Sequence, residues 1–486
     1  MAAAGVFGVG LIAGKGGNPL IDLKVYRAGG LSWIRGLPLY ATQFPKPLQG
    51  PDLPFTYPPF AAVVFSVFGV VGYLAAAALL VVAGLGALTW VISLVWHERR
   101  AAWGLPALNA RLAVLLTLSV LVVEPVSSTF LHGQINLLLM GLVAADTLGP
   151  RTRIPRGVFT GVAAAIKLTP AVFLLYFIAR RQWRAAATAA AAFAGATLFS
   201  FLVARRDTET YWTSTVYDPT RIGDLGYAAN QSIRGAVHRL ALGVKPEEHV
   251  WLVASVIVVL LAYRGARRCV ASGNLTCAVV VVAACQLLIS PVSWSHHWVW
   301  IAPILPALAF RVIRSGSRAR IAGGGALIAV FLMGPLLLLP VNQGREMHWY
   351  WWQNLIGDTY MLVTLAFVAW AALSRRGLPA ADQPVEPVQE QVQPELELGL
   401  VVAPAERAVG VVVGDVAQHG GEVGEPLGQG LERGCVGGAA GIRRGEELLV
   451  EAERPAAQGV HGVVRLLVGE PAGVHQGQDG VVVVQH

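Results

Sequence analysis

Apolar stretches of membrane-spanning length, broken by short Arg-rich or aromatic-rich connections, fill residues 1–377. The runs lie near 59–96, 109–126, 134–148, 157–179, 184–204, 249–263, 275–291, 297–313, 320–340 and 354–374. A span needs roughly 20 apolar residues, and in lipid only a helix satisfies its own backbone at this composition. The pattern therefore predicts an all-α membrane protein, a polytopic bundle of about ten to twelve transmembrane or re-entrant helices. Two runs depart from simple alternation. The 157–179 run carries Lys167 and Pro170 at its middle, which predicts a re-entrant pair of half-helices. The 59–96 run, with Pro58, Pro59, Gly69 and Gly72, predicts one short half-helix followed by one full span.

Basic clusters set the orientation. Arg99/Arg100, Arg151/Arg153/Arg156, Arg180/Arg181/Arg184, Arg264/Arg267/Arg268, Arg311/Arg314/Arg318/Arg320 and Arg375/Arg376 all belong in the cytoplasm by the positive-inside rule. The segments 14–57, 127–133, 205–248, 291–296 and 341–353 then lie outside. They hold nearly every cluster of Trp, Tyr, Asn, Gln and His, so the chemistry is expected on the extracytoplasmic face.

The two ends of the chain read differently from its middle. Met1 to Ala13 is apolar but lacks a basic start and a cleavage site, so it reads as the remnant of a first transmembrane helix that an upstream start codon would complete. Residues 1–377 hold 31 Lys and Arg against 13 acids, whereas 378–486 hold 6 Arg, no Lys and 16 acids. Beyond Gly377 there is no aromatic residue and no helical or strand period, which gives two readings: a disordered cytoplasmic tail, or out-of-frame translation of a GC-rich gene. No function is assigned to it.

Composition agrees with the pattern, at 55% hydrophobic residues and a mean hydropathy of +0.57. The four cysteines show no paired spacing and no histidine at ligand spacing, so no metal centre or disulfide framework is expected. Phosphate-cradling and zinc-protease motifs are also absent, and no cofactor or nucleic acid is implied.

In the first outer segment Asp22 follows the apolar start and is placed to take a proton from an acceptor hydroxyl. The alternative is a capping or salt-bridging Asp beside Lys24 or Arg27, and Asp52 is the second candidate for the same role. Lys167 sits where an unpaired charge costs about 2.5 kcal/mol or more, so it pairs with a buried partner, binds an anion, or snorkels from a shallower position.

Asp22 with Tyr26-Arg27, Phe55-Thr56-Tyr57-Pro58-Pro59, His132-Gly133-Gln134-Ile135-Asn136, Ala165-Ile166-Lys167-Leu168-Thr169-Pro170, Asn230-Gln231-Ser232 and Ser293-Trp294-Ser295-His296-His297 occur in this order. Together they resemble the family 87 glycosyltransferases, polyprenyl-phosphomannose-dependent α-1,2-mannosyltransferases of mycobacterial type. The resemblance covers about residues 20–375. It implies a GT-C fold and an inverting transfer of mannose from polyprenyl-phosphate-mannose to a mannoside or phosphatidylinositol-mannoside-type acceptor, within cell-envelope lipoglycan synthesis.

On that resemblance Asp22 is expected to be the catalytic base. The departing lipid phosphate would be met by Arg27, Lys167, His296 or His297, with His297 preferred of the pair, although both could be interfacial anchors instead. Gln134, Asn136, Asn230 and Gln231 offer neutral partners for sugar hydroxyls, and Tyr57 or one of Trp349, Trp351 and Trp352 offers a stacking face. The competing class is a transporter or flippase of lipid-linked sugars, favoured only by Lys167 near the midplane and opposed by the lack of an internal repeat.

Overall fold

The structure, a computed structural model, describes residues 19–41, 44 and 53–374, together with four short strands beyond them. The chain forms two units, residues 1–385 and 386–486. In chain order the helices of the first unit are α1 (Ile21–Ile34), α2 (Pro59–Val70), α3 (Tyr73–Trp103), α4 (Ala110–Val120), α5 (Glu124–His132) and α6 (Asn136–Thr147). Next come α7 (Val158–Ile166), α8 (Leu174–Ala179), α9 (Trp183–Val203), α10 (Arg205–Thr213), α11 (Ile233–Arg239) and α12 (Val244–Ala271). The last are α13 (Leu275–Ile289), α14 (Leu305–Arg314), α15 (Arg318–Met333), α16 (Trp351–Gly357) and α17 (Thr359–Leu373).

Helices α3, α9 and α12 are each long and apolar enough to cross a membrane. Only 33%, 11% and 22% of their apolar windows are buried, so most of their Leu, Val and Ala side chains face outward, as lipid-facing helices require. Three helix pairs are long and apolar enough together but sharply bent, each a broken span or a re-entrant loop: α4 with α5 at 83°, the 3₁₀ segment Ser295–Ile301 with α14 at 52°, and α16 with α17 at 70°. Shorter apolar helices lie at α2, α6, Thr169–Ala179 and α13. The first unit is an all-α membrane protein, and each apolar run read from the sequence is helical over most of its length.

Breaks fall next to or shortly before a glycine or proline. Val71 and Gly72 are extended between α2 and α3, which gives the short half-helix and long span expected for 59–96. Lys167 ends α7 in an extended conformation, and Pro170 continues in the 3₁₀ turn Thr169–Phe173. Two of the segments assigned to the outer side contain helix. Residues 21–34 form α1, and the expected 127–133 connection lies mostly in α5, which restarts the chain at Glu124-Pro125 because Pro is tolerated in a first turn.

Helix α1 lies along α2. Their approach depends on glycine: a Cβ on Gly30 would fall 2.5 Å from the carbonyl oxygen of Phe65, and one on Gly29 would meet the Phe55 ring. Tyr26 stacks on Phe65 at 4.3 Å within that interface. Elsewhere α12 packs on α13 and α17, α7 on α9, and α5 on the 3₁₀ segment Ser295–Ile301. The buried pair Arg239 and Asp358 ties α11 to the start of α17.

The second unit shows β1 (Gly399–Val401) paired antiparallel with β2 (Val412–Gly414), and β3 (Leu448–Glu451) paired antiparallel with β4 (Val463–Leu466). The Val-rich runs supply strand propensity that the absence of a sustained alternation concealed. The rest of the expected tail, the Met1–Ala13 segment, Asp52 and Arg375/Arg376 lie outside the described residues.

Candidate active site

The start of α1 is held against the end of α5. Gly133 caps α5 in the left-handed conformation, with φ of 70°, and a Cβ there would sit 3.0 Å from Leu23 Cβ. The Leu20 amide donates to the Leu131 carbonyl at 2.8 Å. This contact brings Asp22 and Tyr26, one turn apart on α1, to Gln134 just past the glycine.

Gln134 is the hub of a buried polar cluster. Tyr26 Oη donates to Gln134 Oε1 at 3.0 Å, and the Tyr26 and Tyr57 hydroxyls are 2.9 Å apart. The Gln134 side chain also lies close enough to the Asp22 carboxylate to favour its charged form. Burial pushes the Asp22 carboxyl above the usual carboxylate range, against the opposing pull of Gln134, His132 and Lys167. Burial likewise raises the Tyr57 phenol, so it stays a neutral hydrogen-bonding group. With α1 outside the apolar spans, Asp22 is a half-buried carboxylate of raised basicity facing two cationic or imidazole groups.

Lys167 reaches the other side of the cluster from the broken end of α7. Its Nζ donates to Asn136 Oδ1 at 3.1 Å and to His297 Nε2 at 3.1 Å, and lies 5.6 Å from the Tyr57 ring centroid. An ammonium has no acceptor, so His297 Nε2 is the acceptor and its ring proton belongs on Nδ1. Asn136 Nδ2 donates to the His296 carbonyl at 3.0 Å, and Thr129 Oγ1 donates to the same oxygen at 2.9 Å. The His-His segment is therefore fixed by its backbone. His296 points to His132, with ring centroids 5.0 Å apart, while His297 faces Lys167.

A pocket opens beside this cluster. Asn136, Lys167 and His297 line it along with Gln286, Ser290 and Ser293, and Met140, Leu287 and Trp300 form an apolar part of the wall. Gln286 Oε1 and Ser293 Oγ are buried without a hydrogen-bond partner, as is His296 Nε2. Each such atom costs about 1–3 kcal/mol unless something meets it.

Other expected site residues fall elsewhere. Asn230 and Gln231 are fully buried, but their side chains are spent on backbone: Asn230 Oδ1 accepts from the Ser232 and Ser293 amides, and Gln231 Nε2 donates to the Ala228 and Gly357 carbonyls. They hold the loop that carries Ser293 rather than lining the pocket. Arg27 donates to the carbonyls of Phe68 and Val71, closing the end of α2, which accounts for its charge within the fold. Trp349 is buried and donates to the Pro340 carbonyl, whereas Trp351 and Trp352 are exposed.

One buried acid was missed by the sequence reading. Glu124 accepts hydrogen bonds from Ser295 Oγ at 2.8 Å and Tyr360 Oη at 3.0 Å, so it anchors the residue preceding His296. Its position as the one acid inside the 109–126 run was the available signal. Among the described residues no group of three or more His, Cys, Asp or Glu side chains is arranged to hold a metal ion.

Known proteins with similar sequences give this cluster its context. Residues 55–291 match glycosyltransferase family 87. A polyprenol-phosphate-mannose-dependent α-(1-2)-phosphatidylinositol mannoside mannosyltransferase of Mycobacterium tuberculosis is 40% identical over 365 residues, 73% of this chain and 84% of its own. The protein of that name from Mycolicibacterium smegmatis is 38% identical over 394 residues, 76% of this chain and 88% of its own. A phosphatidylinositol pentamannoside mannosyltransferase from the same organism is 34% identical over 373 residues, 74% of this chain and 87% of its own. No solved structure matches the chain. The relatives are enzymes, which sets the transporter reading aside, and this chain belongs to glycosyltransferase family 87.

Proposed function

We propose that the chain transfers mannose from polyprenyl-phosphate-mannose to a hydroxyl of a phosphatidylinositol-mannoside-type acceptor, forming an α-1,2 linkage with inversion on the extracytoplasmic face. The observation that carries this reading is the 40% identity to the mycobacterial mannoside mannosyltransferase across 84% of its length. The sidedness rests on the Arg clusters in the sequence, which the positive-inside rule assigns to the cytoplasm, the aromatic and histidine-bearing segments then lying across the intervening apolar runs.

In the proposed reaction Asp22 accepts the proton of the acceptor hydroxyl as its oxygen attacks the anomeric carbon. The bond from that carbon to the phosphate oxygen breaks on the opposite face, and polyprenyl phosphate leaves. A β-linked donor then gives an α-linked product. The raised basicity of Asp22 suits a base, and its partner Gln134 orients it. Lys167, with His297 beside it, supplies the positive charge and hydrogen-bond donors that a departing phosphate needs.

The test is transfer of radiolabelled mannose by the purified full chain in lipid, with the product analysed for anomeric configuration and linkage. An α-1,2-linked product on the phosphatidylinositol mannoside supports the reading. A β-linked product, or transfer from a nucleotide sugar in place of the lipid-linked donor, contradicts it.

A further inference from the structure

The lining of the pocket beside Lys167 includes polar groups that the proposed phosphate contacts leave unexplained. Gln286 on α13 and Ser293 in the loop after it are 8% and 1% exposed, and both line the same cavity as Lys167 and His297. Gln286 Oε1 and Ser293 Oγ have no hydrogen-bond partner, although every polar group of the neighbouring Asn230 and Gln231 amides is used. Burying two such atoms side by side with a cavity is costly, so their partner is expected to come from a ligand.

The chemistry of the two atoms selects that ligand. The Gln286 amide pairs an accepting oxygen with a donating nitrogen, so it matches a sugar hydroxyl, which donates and accepts. A serine hydroxyl both donates and accepts, as a sugar hydroxyl does. Lys167 and His297, in the same pocket lining, suit the anion. A glycosyl phosphate has these two parts joined by one oxygen, and the residues that suit each part line one pocket.

We propose that Gln286 and Ser293 bind hydroxyls of the donor's sugar and so determine which glycosyl phosphate is used, an inference that rests on the mannosyl-transfer reading above. The acceptor's own pyranose carries the same chemistry, and the donor is favoured because the phosphate-binding side chains share the cavity.

Full-length Gln286→Leu and Ser293→Ala proteins in lipid test this. Three quantities are measured beside wild type: KM for polyprenyl-phosphate-mannose, KM for the mannoside acceptor, and the inhibition constant of sugar-free polyprenyl phosphate. The expected result is a donor KM raised at least about tenfold in each variant, with the other two constants unchanged. The unchanged inhibition constant also reports that the variants are folded. An unchanged donor KM overturns the proposal, as does a parallel rise in the inhibition constant, which would assign the two residues to the phosphate or lipid. A rise in acceptor KM alone would overturn it in favour of the acceptor sugar. If wild type transfers no mannose from this donor, the functional reading fails and takes the proposal with it, a result separate from active wild type with unaffected variants.

Discussion

Lys167 Nζ and His297 Nε2 stand 3.1 Å apart, joining the broken end of α7 to the 3₁₀ segment that precedes α14. The two residues are 130 positions apart, and neither is placed by its own helix alone. In the proposed reaction this pair faces the phosphate. Lys167→Met is expected to lower kcat by about 10²- to 10³-fold, the usual loss when one preorganised charge-stabilising donor is removed. His297→Ala should lose less, since Lys167 and Asn136 stay in place. Steady-state kinetics with saturating acceptor checks both, and equal small effects would place the pair outside the transition state.

The environment of Asp22 gives a pH prediction. Its carboxyl is raised above the usual range chiefly by burial, so the base form is lost as pH falls through that raised value. Wild-type transfer should therefore decline on the acid side at a higher pH than an exposed Asp would allow. A folded-state value above the unfolded one also means that protonation favours the fold, and stability falls as pH rises through the folded value. Asp22→Asn should accordingly be at least as thermally stable as wild type near neutral pH. A thermal-shift measurement in detergent at matched pH decides this, and a clear drop in Tm would show that the carboxylate is needed structurally.

The Tyr26, Tyr57 and Gln134 cluster predicts a graded result. Tyr57→Phe removes one of two hydroxyls that share Gln134 Oε1, leaving the ring over which Lys167 sits. A modest loss of kcat/KM, about 3- to 10-fold, is expected, in line with one neutral hydrogen bond. Gln134→Leu removes the acceptor of both phenols and the partner of Asp22, and should cost more than Tyr57→Phe.

Packing between α1 and α2 predicts a stability effect without a chemical one. Gly30→Ala would push a Cβ to 2.5 Å from the Phe65 carbonyl oxygen, a backbone atom that cannot swing away. The expected cost is about 1–3 kcal/mol, read as a lowered Tm. Gly86→Ala on α3 is the control, because nothing lies within 4 Å of its added Cβ.

Much of this architecture was legible in the sequence because lipid imposes one rule on every span: apolar length and basic ends. The break at Lys167-Pro170 and the division of the 59–96 run were readable for the same reason, since Lys, Pro and Gly interrupt a pattern that is otherwise uniform. Helix α1 was not readable, because its helicity comes from packing Tyr26, Gly29 and Gly30 on α2 rather than from an apolar period. The motif order also pointed to Gln134, Asn136, Lys167 and His297, which the fold brings together. It could not separate these from Asn230 and Gln231, whose identical amide chemistry is consumed by backbone groups of the loops before α11 and after α13 and at the start of α17. Glu124 was passed over inside an apolar run, where a single acid is itself a signal.

The central claim is that Asp22 takes the proton in mannose transfer. The most direct test compares the full-length chain with its Asp22→Asn variant, at matched protein levels in the same lipid, for mannose transfer from polyprenyl-phosphate-mannose to a phosphatidylinositol mannoside. The account predicts robust transfer by wild type and a loss of about 10²- to 10⁴-fold in the variant, the range for a general base. Equal transfer by the two proteins would contradict it.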